Sequence, residues 1–172
     1  MTTTTSTAAI TRTHTATYLA DAVLGTISEI LGHLGIPLSN GPWDFARDAI
    51  AIAAWIKEES LSEIILECHQ PGGSVVPVFE FPVRYTADLI GDAAFTTSTA
   101  SLVKYRAKIA SVPAGTRFRL FCSYRGAHST QPGWSQATRA STVGLQSSAF
   151  GTLASGPHAA ASMRYLHQPK SS

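Results

Sequence analysis

The sequence runs out of acid early. No Asp or Glu follows Asp92, while nine basic residues do: Lys104, Arg106, Lys108, Arg117, Arg119, Arg125, Arg139, Arg164 and Lys170. This asymmetry fits a basic binding face or two charge-complementary halves of one fold, and the second is preferred. Charge is scarce overall, 14% of residues against about 25% in an ordinary globular chain, and a net charge of +2 makes no global case for nucleic acid. Cysteine is nearly absent. Cys68 and Cys122 each sit in an alternating apolar run, which suits small buried hydrophobes in a reducing compartment and excludes a disulfide scaffold. Whether the two lie close together stays open. No apolar run approaches the roughly 20 residues of a membrane span. Met1–Ala9 is Thr-rich and polar, unlike a signal peptide, so a cytoplasmic location is expected.

Catalytic signatures are missing as well. The histidines at 14, 33, 69, 128, 158 and 167 include no pair at metal-ligand spacing. Cys68 and His69 are neighbours on an expected strand and would point to opposite faces. There is no G-x-S-x-G elbow, and Gly72-Gly73 lies in a hairpin turn with no helix behind it. Glu58-Glu59 and Glu63/Glu67 are paired carboxylates without a convergent acid, base or pocket. The expectation is no enzyme, no cofactor and no metal.

What is present is a clear succession of periods. Residues 1–12 read as a disordered arm. Leu19, Val23, Ile27, Ile30, Leu31 and Leu34 recur at helical spacing and predict a helix from about Thr15 to Leu34, ended by Gly35 and Pro37. Asp44 predicts the N-cap of a second helix running to about Glu59, with Phe45, Ala49, Ile52, Ala53 and Ile56 inward. The period then becomes two. Ser62–His69 and Val75–Tyr85 predict a hairpin around Pro71-Gly72-Gly73-Ser74. In the second strand Val75, Phe79, Phe81, Val83 and Tyr85 share one face, and Pro77 and Pro82 predict an edge strand or one broken by bulges. A third helix is predicted over about 99–110, with Leu102, Tyr105, Arg106 and Ile109 inward and Lys104 and Lys108 elsewhere. A third strand follows at Thr116–Tyr124, with Phe118, Leu120, Cys122 and Tyr124 inward and Arg117, Arg119, Phe121, Ser123 and Arg125 facing the other way. This order predicts an α+β fold, an antiparallel sheet covered by helices on one side.

From Gly126 to Gln168 the composition is that of a linker, rich in Gly, Ser, Ala and Thr. Yet Trp134, Val143, Leu145, Phe150, Leu153, Met163, Tyr165 and Leu166 recur through it, so it is expected to pack on the domain. On the third strand, Arg117, Arg119 and Arg125 around Phe121 form a weak stacking platform. A small nucleic-acid-binding module using residues 116–125 is therefore the alternative function. The same face also suits β-augmentation by an extended peptide.

Several pieces in order then resemble one family. They are Thr13-His14-Thr15 with Tyr18 and Asp21; Trp43 ahead of Ala49-Ile50 and Trp55; Leu61–Glu67 ahead of Pro71; Gly133-Trp134-Ser135; and Gly151, Gly156, Tyr165 and Gln168. From about Arg12 to Gln168 the chain resembles HORMA domains, in particular the bacterial HORMA proteins of CBASS operons, which encode a cyclic-oligonucleotide synthase for antiviral defence. The resemblance implies a HORMA-like α+β domain over 13–172, its sheet packed by three helices. A core at 13–125 would be followed by a C-terminal safety belt at 126–168. It implies a non-enzymatic conformational switch whose belt closes around a closure-motif peptide, and whose closed form binds and activates the synthase (a CD-NTase). An AAA+ remodelling ATPase would grip the N-terminal arm. The peptide would pair with Thr116–Tyr124 and meet Arg119, Phe121 and Ser123, with Tyr105 and Lys108 on a helical wall and Trp134 opening the belt. For Trp134 and Tyr105 plain core packing is an equal reading. Neither membrane nor nucleic acid is an expected partner under this resemblance.

Overall fold

The computed structural model of the chain describes residues 3–86, 96–97 and 108–169. Helix α1 spans Thr3–Leu34 and α2 spans Phe45–Lys57, separated by a short 3-10 turn at Leu38–Asn40. Six strands follow: β1 Leu61–His69, β2 Val75–Tyr85, β3 Thr96–Thr97, β4 Arg117–Tyr124, β5 Gln146–Ser155 and β6 Ala159–His167. They form one antiparallel sheet in the order β3-β5-β6-β2-β1-β4. The third helix predicted over 99–110 falls mostly on residues 99–107, outside those described; Lys108–Ile109 form a turn and a bend.

α1 is the centre of the fold. All six residues of its predicted stripe are buried, and Ala16, Ala20 and Leu24 widen the buried arc. Its end is a Schellman cap: Ile36 N–H bonds Leu31 O at 2.9 Å and Gly35 N–H bonds Gly32 O at 3.2 Å, with Gly35 at φ 73°. Its beginning departs from expectation. The helix reaches back to Thr3, so the stretch read as an arm continues the helix. Extending a nucleated helix costs little per residue even where propensity is poor.

α2 starts as read, with the Asp44 carboxylate accepting from Arg47 N–H at 3.1 Å. Its inward face is rotated from the apolar stripe. Asp48, Ala51, Ile52, Trp55 and Ile56 are buried, whereas Phe45 is exposed. The stripe missed this because a carboxylate lies on the buried arc. Asp48 is held by Arg47 Nε at 3.1 Å, and burial raises its pKa against that attraction.

The sheet has two unequal faces. Ile64, Leu66, Cys68, Phe79, Phe81, Val83, Phe118, Ala161, Met163 and Tyr165 pack with both helices in the main core. Ile65, Val78, Phe121 and Leu166 form a small second cluster on the other face, flanked by Val75 and Leu145. Val75 was expected beside Phe79. Pairing Glu67 with Val78 but His69 with Val75 puts an extra β2 residue against β1, and that bulge reverses the alternation before Val78. β2 is thus an interior strand broken by a bulge. It is interior because β6 docks beside it, a strand that its run of small residues concealed. Within the packed C-terminal segment, Val143 departs from expectation at 93% exposure. The cysteines are free; Cys122 pairs with Ile64 and Cys68 with Phe118.

At the tip of the β5–β6 hairpin, His158 is fully buried, and neither ring nitrogen has a hydrogen-bond partner among the described residues. Burial lowers its pKa; nearby Glu59 raises it and Arg12 lowers it. The ring is therefore held neutral while the unfolded chain protonates near 6.5. Stability is expected to fall as pH drops through that value toward the lower folded pKa. A His158→Phe variant should show a shallower loss of urea midpoint between about pH 7 and about pH 5.

Candidate functional site

β4 ends the sheet, and among the described residues no strand pairs with its outer edge. Such a row of unpaired N–H and C=O groups is a template for another strand. The chain that leaves β4 turns back onto the body of the domain. It is pinned first to α2 and to the residues just after it, on the helix side. Arg125 N–H bonds Ser60 O at 2.8 Å, Trp55 Nε1 donates to Ser129 O at 2.8 Å, and Ser129 N–H donates to Glu58 Oε1 at 2.9 Å. Burial works against the Glu58 carboxylate, but bonds from Ser129 and Ser60 outweigh it and hold its pKa below the ordinary value. Trp134 then sets its indole edge-on to Trp55 at 5.4 Å, beside Tyr124, whose ring lies 5.0 Å from Trp55. Gly133 makes this approach possible. It sits at φ 81°, and a Cβ there would lie 2.7 Å from Arg47 Nε.

Five residues later the same chain is on the opposite face of the sheet. Arg139 Nη1 reaches Glu80 Oε2 at 2.8 Å and Glu63 Oε1 at 3.4 Å. Ala140 N–H donates to Glu67 Oε2 at 2.8 Å, and His69 Nε2 lies 3.0 Å from Glu67 Oε1. Arg164, on β6, completes the cluster with contacts of 3.2 Å to Glu80 and 3.3 Å to Glu63. Burial raises the Glu63 pKa and Glu80 raises it further, against the pull of the two arginines. Residues 135–138, exposed, carry the chain from one face to the other. Residues 125–140 are thus a strap, fixed by aromatic packing on the helix side and by carboxylates on the far side.

The predicted site residues separate on this frame. Arg119 and Ser123 lie on β4, the first exposed and the second half-buried opposite Glu63. Trp134 is half-buried at the start of the strap. Phe121 is only 9% exposed and packs in the second cluster, with the Arg119 guanidinium 5.9 Å from its ring centre. It is therefore poorly placed as an open stacking platform for bases. Lys108 is exposed, and Tyr105 lies outside the described residues. Sequence reasoning missed Glu63, Glu80, Arg139 and Arg164 as a group. The concentration of acids in the first half and bases in the second was their only signal, and here the two halves do pair.

Thiol chemistry is poorly served. Burial pushes Cys68 up to about 12, with Glu67 adding to the shift, and burial also raises Cys122 well above the thiol range. Among the described residues no three His, Cys, Asp or Glu side chains are grouped to hold a metal ion, and no helix is long and apolar enough to cross a membrane.

Solved structures share this fold. Similar folds include a chain of the mitotic checkpoint complex (TM-score 0.70, 9% identity, covering 90% of this chain and 99% of that one). C. elegans HTP-1 bound to the HIM-3 closure motif matches at TM-score 0.65 and 13% identity, over 91% of each chain. A chain of the E. coli CdnC:HORMA-deltaN complex matches at TM-score 0.62 and 13% identity, covering 92% of this chain and 90% of that one. At these identities the likeness establishes the fold alone. No curated protein sequence matches the chain. The family described as Bacterial HORMA domain 2 matches residues 4–169. Nearly the whole chain is covered by that match, and the fold agrees with it: this protein belongs to the bacterial HORMA domain family.

Proposed function

We propose that the chain is a non-enzymatic, peptide-triggered switch of antiviral defence. An extended closure-motif peptide adds to the outer edge of β4 beneath the strap, and residues 126–168 act as the safety belt that holds it. The observation that carries this reading is the open edge of β4 beside a strap pinned on both faces of the sheet. Backbone bonds along the edge supply affinity, and alternate side chains supply selectivity. The HTP-1 structure, bound to a closure motif, supports the peptide; the E. coli complex supports a CdnC-type cyclic-oligonucleotide synthase as the partner that the closed form activates. An AAA+ ATPase acting on the N-terminal residues resets the switch. It has to unwind the helix from Thr3 to do so. The protein works in the cytoplasm.

A switch needs two dockings separated by only a few kcal/mol. The belt suits this, with few large buried side chains (Leu153, His158, Met163, Tyr165 and Leu166) among many small ones. Amide exchange tests the reading. Adding a selected peptide is expected to slow exchange in Leu120–Tyr124 by about tenfold or more, and to raise synthase activity in the reconstituted mixture. Unchanged exchange along β4 with a bound peptide rules out the edge as the docking site.

A further inference from the structure

We infer that the segment taken up along β4 carries an acidic side chain at the position facing Arg119 and apolar side chains at those facing Leu120 and Cys122. This rests on the peptide-switch reading and names the ligand class that reading leaves open.

The open length of the edge comes first. Asn40 Nδ2 donates to Thr116 O at 3.1 Å, and Gly41 lies so close to Phe118 that a Cβ there would meet its carbonyl oxygen at 2.6 Å. The loop before α2 therefore covers the beginning of β4, and uptake starts at Arg119. A strand added from there alternates its side chains between the two faces of the sheet. On the helix side it meets Leu120 and Cys122, both half-buried against the main core, so apolar residues extend that core outward. On the other side it meets Arg119.

Arg119 is exposed; its guanidinium lies 5.9 Å from the Phe121 ring centre, and no carboxylate pairs with it among the described residues. The register sets Glu67 opposite Arg119 on β1, but Glu67 is 1% exposed and engaged by His69 and the Ala140 N–H. Glu63 and Glu80, the other carboxylates on this face among the described residues, are occupied by Arg139 and Arg164. Both sides of the opening, β4 and the strap, come from the stretch after Asp92 that has no acid. Arg117, two residues earlier on the same face, adds charge of the same sign. A carboxylate is the group that compensates it, with a charge-assisted bond to the guanidinium.

Selection of short random peptides on the full chain, followed by fluorescence anisotropy, tests this. Selected peptides are expected to carry Asp or Glu at one position, with apolar residues at the first and third positions beyond it. Changing that acid to its amide should weaken binding about tenfold, and the difference should shrink at high salt. Arg119→Glu, at an exposed position, should shift the preference to Lys or Arg. Peptides that bind without charge preference, or an acidic preference unchanged in Arg119→Glu, overturn the inference while leaving the switch intact. Failure to select any peptide overturns the switch reading and this inference with it.

Discussion

Arg139→Glu is expected to free the strap from the back of the sheet. The substitution sets a third carboxylate against Glu63 and Glu80, where one guanidinium now lies 2.8 Å from one and 3.4 Å from the other. Glu63 and Glu80 side chains are 17% and 12% exposed, so solvent screens the repulsion only in part. Losing a partner from a fully buried pair costs about 3–5 kcal/mol. Discounted for partial exposure, about 2–4 kcal/mol is expected here. Glu63→Gln should behave differently. Its raised pKa, caused first by burial and then by Glu80, means that ionisation is disfavoured in the folded protein despite two arginines. The sign follows: this group's stability contribution is present below its unfolded pKa and is lost as pH rises through the higher folded one. Neutralising Glu63 is therefore expected to change stability by less than about 1 kcal/mol. The cluster specifies where the strap docks more than it adds to stability. Amide exchange distinguishes these effects. Arg139→Glu should speed exchange in β5 and β6 and spare the β1–β4 ladder. Equal acceleration in both ladders would indicate general destabilisation and remove the cluster's role as a latch.

Trp55→Ala should produce the largest loss of stability. Trp55 is 1% exposed and touches both the core and the strap, with Tyr124, Trp134 and His128 ring centres 5.0, 5.4 and 6.0 Å away. Truncating a buried aromatic of this size costs about 3–5 kcal/mol, read as a fall in urea midpoint at unchanged slope. Trp55→Phe separates packing from anchoring. It keeps a ring in the site but removes the donor to Ser129 O, at an expected cost of about 1–3 kcal/mol. That loss should appear as faster exchange in the strap before any change in α1. A Trp55→Phe protein with wild-type exchange between 126 and 134 would show that the bond does not hold the strap.

Much of the scaffold was legible because its signals are local. The α1 stripe, the Asp44 cap, the Pro71–Ser74 turn and the alternation of β1 and β4 depend on residues a few positions apart, where backbone period and side-chain type suffice. The rotated face of α2 was not legible. Burying Asp48 depends on the neighbouring Arg47 guanidinium, which an apolar count does not register. β5 and β6 escaped for a similar reason. Runs such as Ala159–Ser162 have little strand character of their own and become strands by pairing with β2 and with each other.

The sequence by itself determined the elements of the core, the resemblance to HORMA domains and the presence of a C-terminal segment with reasons to pack. Its excess of late basic residues admitted two meanings, and tertiary structure assigned them separately. Arg139 and Arg164 answer the acids of the first half across the back of the sheet, while Arg119 is left exposed on β4. Only the fold could make that division. Glu63 and Arg164 are 101 positions apart in the chain, and ion pairing depends on where charges meet in space, which periodicity and composition do not encode.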